Sequence, residues 1–399
     1  MAILTLITAL LLGVTFGTIT GLIPGLHINL IITFLSLSFF EKIISSNPFP
    51  MSIFIVSLSI THIITDFIPS ILLGAPEEDS YLSILPGHRM LLEGRGYEAI
   101  TLCIYGSISS ILFIPFLSLI YILILPRIFQ SIQSFIPLIL IIASIYLIFR
   151  EEKIFPALII FLMSGFLGYF TFNIPLKEPL LPLLSGLFGI SSIILSIRKN
   201  NKIPNQIIEK PKIRKIKFIK TILSGAIITP FMSFLPGIGS GHSAVIASEL
   251  KKQSKRQFLF LIGFIAILTM SLSFVAAYSI GKTRTGSAVA IINYLGKISH
   301  FQITSIILVS IFVIIISSII SIKIAKFFVK NISEINYNYL SIIILFLIIL
   351  INFFVSGLLG IFILLTSTSL GIYTQLSNSK KINLMGSLIL PSIIFYIFN

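Results

Sequence analysis

Long apolar runs follow one another along most of this sequence, with short polar breaks between them. The runs are about 16 to 28 residues long, which is the length of helix that crosses a hydrocarbon core of ~30 Å and is far longer than a membrane β-strand. Of the 399 residues, 56% are hydrophobic and 10% are charged, a balance that excludes a water-soluble globular domain. The sequence therefore predicts an all-α polytopic membrane protein.

The amino-terminal run is assigned to the folded protein, because residues 1–21 lack the basic region that precedes a cleaved signal peptide. Cys103 is the one cysteine and lies within an apolar run, which excludes a disulfide within the chain and a cysteine metal cluster. No cofactor is expected apart from a coupling ion, either Na⁺ or a proton.

Fourteen apolar segments are predicted, seven in each half of the chain. The first transmembrane repeat, 1–197, contains segments at about 3–22, 26–40, 51–73, 99–125, 134–149, 154–173 and 180–197. The second, 221–399, contains segments at about 221–235, 240–250, 258–280, 301–327, 340–356, 357–375 and 383–398. Residues 198–220 form a basic linker between the two repeats.

The basic residues are distributed unevenly between the two predicted faces of the membrane. If the linker is cytoplasmic, the parity of the crossings puts 22 of the 28 Lys and Arg residues inside, and leaves outside only Lys42, Arg127, Lys177, Lys282, Arg284 and Lys297. This asymmetry is what the positive-inside rule predicts for a multi-pass protein of the cell membrane. The net charge of +15 therefore requires no nucleic-acid partner. The linker could also touch anionic lipid headgroups.

The two halves are predicted to be copies of each other. A shift of 212 residues superposes four pairs: Gly13 on Gly225, Pro24 on Pro236, Gly25 on Gly237, and Gly74 on Gly286. Because an odd number of crossings lies in the first copy, the second copy must enter the membrane upside down. Inverted repeats of this kind are typical of secondary transporters, which bind substrate near the midplane between the repeats.

The first apolar segment of each half is interrupted by a Pro-Gly motif, GLIPGLHIN at 21–29 and FLPGIGSGHS at 234–243. Proline and glycine prevent a helix from running straight through either motif. In the second copy, basic residues flank the segment at both ends, and 30 residues give only about 22 Å of helix in each direction. Each repeat is therefore predicted to contain a re-entrant hairpin, broken at its Pro-Gly tip, plus about five spanning helices.

The hairpin tips are the predicted substrate site, because irregular backbone at membrane depth is tolerated where it lines a wet cavity. The amino terminus of each second arm would attract an anion, and broken-arm carbonyls could hold a cation. The predicted substrate-binding residues are Pro24, Gly25, His27, Asn29, Pro236, Gly237, Gly239, Ser240, Gly241, His242 and Ser243. The alternative is that these prolines and glycines only let helices pack.

The paired GLIPGLH and LPGIGSGH motifs, with the acidic loop after the next helix, resemble the large membrane permease of tripartite tricarboxylate transporters, the TctA family, and particularly its archaeal branch. The resemblance covers essentially the whole chain. It implies a secondary transporter of organic acids driven by an ion gradient. In bacteria it also implies two partners, a small membrane subunit and a periplasmic binding protein. The sequence is also compatible with a homo-oligomer.

Asp66 is predicted to lie deep within segment 51–73, with His62 one turn earlier and Thr65 beside it. An acidic residue within a span is costly, so these three residues are candidates for ion coupling, through a proton or Na⁺. A structural hydrogen bond between helices is the alternative. The shift of 212 residues puts Tyr278 opposite Asp66, so the second copy has no equivalent acid.

Two other functions are compatible with an apolar, duplicated chain. An intramembrane hydrolase could pair Ser240 with His242 or His27, but the HExxH, GxGD and GxSG motifs of such enzymes are missing from the sequence. A lipid-carrier flippase would share the inverted repeat and require a wide lateral groove. A permease for small organic anions, of the di- or tricarboxylate class, is the favoured function, and no enzyme activity is expected.

Overall fold

The computed structural model describes residues 2–23, 28, 31, 48–73, 84–176, 178–199, 203–213, 215–235, 239–250, 253–283, 285–332 and 337–398. Every regular element in these ranges is a helix, which confirms the predicted all-α class. Eight stretches are long and apolar enough to cross a membrane: Ile3–Leu22, Pro48–Leu73, Ile114–Gln133, Ile154–Asn173, Lys255–Ile280, His300–Asn331, Asn338–Leu376 and Lys381–Phe398.

The described helices are numbered in chain order. The first half contains α1 (Ala2–Leu22), α2 (Pro48–Leu73), α3 (Ile84–Leu92), α4 (Gly96–Ser109), α5 (Ile114–Gln133), α6 (Ile136–Phe149), α7 (Ile154–Asn173), α8 (Leu180–Leu184) and α9 (Ser191–Lys199). A 3₁₀ turn, Ser110–Leu112, joins α4 to α5, and a π-helical stretch, Ser185–Ile190, joins α8 to α9. The second half contains α10 (Lys215–Met232), α11 (Ser240–Glu249), α12 (Lys255–Ile280), α13 (Gly286–Leu295), α14 (His300–Asn331), α15 (Tyr337–Leu376) and α16 (Gly386–Phe398), with a 3₁₀ segment, Lys381–Met385, before α16.

Several predicted boundaries change in the structure. Segment 99–125 is not one helix, because the chain breaks at the 3₁₀ turn between α4 and α5. Helices extend into the predicted linker 198–220, since α9 ends at Lys199 and α10 begins at Lys215, and lysine is a good helix former. The predicted division between segments 340–356 and 357–375 agrees with the structure, because α15 consists of two helices separated by a kink at Gly357, which has a φ of 64°.

Local sequence signals set the ends of the long helices in the second half. At the start of α12, Ser254 and Gln257 form a capping box in which the Gln257 Oε1 accepts the Ser254 backbone N–H at 3.1 Å. Ser299 and Gln302 repeat this arrangement at the start of α14, at 2.8 Å. Gly281 ends α12 in the left-handed conformation that glycine adopts without strain.

The order of elements in the second half repeats that of the first. The helices α2 and α12 each have 26 residues, and each is followed by a short helix, α3 or α13. Gly94 and Gly296, both with a positive φ, then lead into α4 and α14. The two halves also pack reciprocally: α4 contacts α12, α14 contacts α2, α7 contacts α16, and α15 contacts the α8–α9 stretch. These contacts support the repeat, and its inverted orientation stays a prediction.

Two helices lie at the centre of the molecule. Within an apolar stretch of 18 residues in each helix, 89% of the residues are buried in α2 and 94% in α12. The corresponding fraction is only 22% in α1 and in α15. The exposed faces of the outer helices are apolar and include Phe16, Phe116, Phe312 and Phe362. The outer helices therefore present a lipid-facing surface and separate α2 and α12 from it.

Glycines bring helix backbones into direct contact at the crossings between the halves. A Cβ on Gly106 of α4 would overlap the carbonyl oxygen of Phe260 in α12, and a Cβ on Gly263 of α12 would overlap that of Cys103 in α4. Ser107 Oγ also donates to the Gly263 carbonyl at 3.2 Å. Small residues at a helix interface are the main means of association in lipid, where the hydrophobic effect does not draw helices together.

The α4–α12 crossing generates a stability prediction. Gly263→Ala should destabilise the protein by about 1–3 kcal/mol, because the new methyl group must push the Cys103 backbone away. Gly189→Ala is the matched control, since no atom lies within 4 Å of its Cβ position and alanine favours a helix by up to about 1 kcal/mol. Thermal loss of helical circular dichroism in detergent measures both. If the two variants unfolded at the same temperature, the close backbone contact between α4 and α12 would be contradicted.

Candidate functional site

Polar side chains occur along the whole length of the central helix α2, although the helix is buried. The buried set, each at most 3% exposed, is Ser52, Ser57, Ser59, Thr61, His62, Thr65, Asp66 and Ser70. Ionisable groups in membrane helices face the protein interior or an aqueous cavity, because lipid contact is too costly. The burial of α2 by its neighbours therefore explains how Asp66 is accommodated, and it makes α2 the first candidate element of a site.

The polar residues of α2 contact three different neighbours. The His62 Nδ1 lies 3.0 Å from Thr20 Oγ1 in α1, and the Thr65 Oγ1 lies 3.0 Å from Ser321 Oγ in α14. Ser59 donates a hydrogen bond of 2.7 Å to Ser287 in α13. Polar contacts from α2 therefore reach both halves of the molecule.

The carboxylate of Asp66 is held from within its own helix. The hydroxyl of Ser70, one turn later, donates to both carboxylate oxygens at 3.1 Å. The side chain of Asp66 is 3% exposed, which agrees with its predicted position deep in a span. A hydroxyl donor stabilises the ionised form of a carboxylate, whereas burial favours the protonated form.

The last turn of α1 packs directly against the residues around Asp66. A Cβ on Gly21 would lie 2.6 Å from the His62 carbonyl oxygen and 2.9 Å from Thr65 Cβ. Gly13 and Gly17, at spacings of four residues, approach α2 equally closely. Since Pro24 is three residues beyond Gly21, the chain enters the first Pro-Gly motif directly from this contact.

Six predicted site residues lie outside the described part of the chain: Pro24, Gly25, His27, Asn29, Pro236 and Gly237. The residues just before Pro236 are described. Leu235 is buried, Phe234 packs edge-on against Phe129 of α5, and Ser233 bonds the hydroxyl of Tyr121. The chain therefore leads into the second motif beside α5 and into the first motif beside α2.

The second arm of the predicted hairpin in the second half begins at Ser240. Gly239, in extended conformation with φ −73° and ψ 172°, is the N-cap of α11, and its N–H donates to His242 Nδ1 at 3.2 Å. The hydroxyl and N–H of Ser243 both donate to the Gly239 carbonyl oxygen at 3.2 Å. With Ser240, His242 and Ser243 all buried, the positive end of the α11 dipole lies inside the protein.

The structure also assigns polar residues of α12 that the sequence analysis missed. Aligning the equal-length helices α2 and α12 end to end puts Thr269 opposite His62 and Ser273 opposite Asp66, instead of Tyr278. The hydroxyls of Thr269, Ser271 and Ser273 are buried and make no hydrogen bond within the described ranges. Such groups mark places where water or a ligand is expected. The equal lengths of α2 and α12, rather than the 212-residue spacing of the glycines, indicate this alignment.

The buried polar core and the lipid-length helices define a polytopic membrane protein. The model of the Tripartite tricarboxylate transporter TctA family matches residues 7–386, so the chain belongs to this family and has a transport role. An uncharacterized protein of Methanocaldococcus jannaschii is 34% identical over an alignment of 409 positions, which covers 97% of this chain and 98% of the relative. No solved structure matches the chain.

The cap of α11 generates a prediction about His242. Replacement by alanine should leave the buried Gly239 N–H without its acceptor and destabilise the protein by about 1–3 kcal/mol. Gln is a preferred residue at this third position of a capping box, so His242→Gln should recover most of the loss. Thermal unfolding in detergent compares the three proteins. The assignment is wrong if the alanine variant is as stable as the parent.

Proposed function

We propose that the chain is a secondary active transporter that moves small organic anions, of the di- or tricarboxylate class, across the cell membrane. Membership of the TctA family supports this function. The observation in the molecule that carries it is the contact of Thr20 and Gly21 with His62 and Thr65. This contact joins the start of the first Pro-Gly motif to the helix that contains Asp66.

The proposed substrate site consists of residues of the two Pro-Gly motifs. An anionic substrate would be attracted by the amino terminus of α11, where Gly239 and Gly241 carry no side chain that would block its approach to the backbone. The hydroxyls of Ser240 and Ser243 would add polar contacts. This part of the proposal depends on the same helix-terminus chemistry that broken helices use in other secondary transporters.

The proposed coupling site is Asp66 with Thr65 and His62. Its buried carboxylate accepts the hydroxyl of Ser70, and it could hold either Na⁺ or a proton as the coupling ion. In both cases the coupled cation would offset the charge of Asp66 in one access state. A small membrane subunit and a binding protein are proposed partners, on the basis of the tripartite systems that give the family its name.

A hydrolase is less well supported by the same geometry. A hydrolase would pair Ser240 with His242 or His27, and the His242 Nδ1 already accepts from the Gly239 backbone N–H. This nitrogen therefore caps a helix, whereas a general base would be expected to bond its nucleophile. A lipid flippase would be detected as scrambling of labelled lipid by the same proteoliposomes.

The test is uptake of labelled citrate and succinate into proteoliposomes, with a Na⁺ or a proton gradient imposed one at a time. Asp66→Asn should retain exchange of substrate but lose gradient-driven accumulation. Loss of one coupled cation lowers the attainable gradient by about 50-fold at 100 mV. Glu152→Gln, which neutralises an exposed acid, is the control and should accumulate normally.

The outcomes distinguish the parts of the proposal. Normal accumulation by the Asp66→Asn variant would contradict the coupling site and leave transport intact. Absence of uptake by the parent protein with every gradient and both substrates would contradict organic-anion transport by this chain alone.

A further inference from the structure

The basic linker is attached to the protein surface. Ile207 N–H donates to the Gly94 carbonyl at 2.7 Å, and the Gln206 side chain bonds Gly96 N–H at 2.8 Å and the Leu91 carbonyl at 2.9 Å. The linker therefore lies along the corner between α3 and α4. These bonds give the linker a defined position on the protein at residues 206 and 207, which a flexible tether would not have.

A polar cavity of about 200 Å³ lies between this linker and the first turns of α4 and α12. Its cationic lining residues are Arg95, Lys210, Lys212 and Arg256. Two carboxylates, Glu98 and Glu209, and the side chain of Ile207 complete the lining. The cavity has a net charge of +2 and is large enough for a phosphate group with a short organic substituent.

The charges in the cavity are only partly compensated. Glu98 bonds both guanidinium groups, at 2.6 Å to Arg95 and 2.6 Å to Arg256. Arg256 also donates to the Lys212 carbonyl at 2.9 Å, while its Nε is buried without an acceptor within the described residues. The two arginines thus share one carboxylate. One positive charge of the pair is left to attract an anion together with Lys210 and Lys212, against the one remaining carboxylate of Glu209.

The cavity lies beside a lipid-facing surface. Lys212 is followed closely by α10, whose exposed face carries Ile216, Ile219 and Leu223. The side chain of Ile207, on the cavity lining itself, is 54% exposed. A ligand with a phosphate head and an apolar tail would match both the positive cavity and the apolar surface next to it.

We propose that this cavity binds the phosphate group of an anionic phospholipid, with the acyl chains lying along α10. None of the lining residues belongs to the Pro-Gly motifs or to α2. It joins elements of both halves, since α4 belongs to the first half and α12 to the second. A bound phosphate would therefore stabilise the packing of the two halves at this end of the molecule.

The test is thermal unfolding of the full-length protein in detergent, followed by a thiol-reactive dye. Cys103 is the one cysteine and is buried, so its labelling reports unfolding. Short-chain phosphatidylglycerol should raise the midpoint by a few degrees at about 100 times its Kd. Lys210→Gln with Lys212→Gln should raise the lipid concentration needed for this effect by about 30-fold, because each cation near a membrane surface contributes about 1 kcal/mol, or about fivefold.

Matched controls identify the source of the effect. Lys323→Gln with Lys326→Gln removes two exposed lysines from α14 and should leave the response to phosphatidylglycerol unchanged. Equal stabilisation by phosphatidylcholine, or an equal response in both double variants, would overturn the proposal. If inorganic phosphate raises the midpoint as strongly as phosphatidylglycerol does, the cavity is a site for free phosphate. The proposal that a phospholipid is its ligand would then be wrong. Transport is not measured, so the result is independent of the proposed substrate.

Discussion

The backbone contact between α4 and α12 at Gly106 and Gly263 is the interaction on which the rest of the structure depends. A bilayer provides no hydrophobic force between helices, so the two halves must be joined by close packing and by hydrogen bonds such as that from Ser107 to Gly263. The same two helices are joined again at their first turns, where Arg256 bonds Glu98. These two connections fix α12 at the centre of the molecule, surrounded by helices that face lipid.

The two central helices α2 and α12 have equal lengths but unequal chemistry. When they are aligned end to end, His62 and Asp66 of α2 stand opposite Thr269 and Ser273 of α12, so a histidine and an acid in one helix are matched by two hydroxyls in the other. The buried carboxylate of Asp66 therefore gives α2 a property that α12 lacks. Under the proposed function, this difference would provide one coupling site for the substrate site proposed at the two Pro-Gly motifs.

The sequence predicts the long helices well, and it predicts irregular backbone poorly. Hydropathy places α7 at 154–173, as in the structure, because an apolar run of this length crosses a membrane as a helix. The break after Ser109 is invisible to hydropathy, since the residues on both sides are apolar. The short helices α3 and α13 were missed because they are too short to span. Burial of Asp66 was predictable from its apolar flanks, whereas its contact with Ser70 and the packing of Gly21 on His62 required coordinates.

The central claim is that the two halves are inverted copies, and the equivalent turns at Glu93 and Lys297 test it most directly. Each turn lies between a short helix and a long helix and contains a glycine with positive φ, Gly94 or Gly296. Single cysteines at these positions, in a Cys103→Ser background, can be labelled in intact cells with a membrane-impermeant maleimide. If the halves are inverted, Lys297→Cys is labelled from outside and Glu93→Cys only after permeabilisation. Labelling of both from the same side would contradict the inversion.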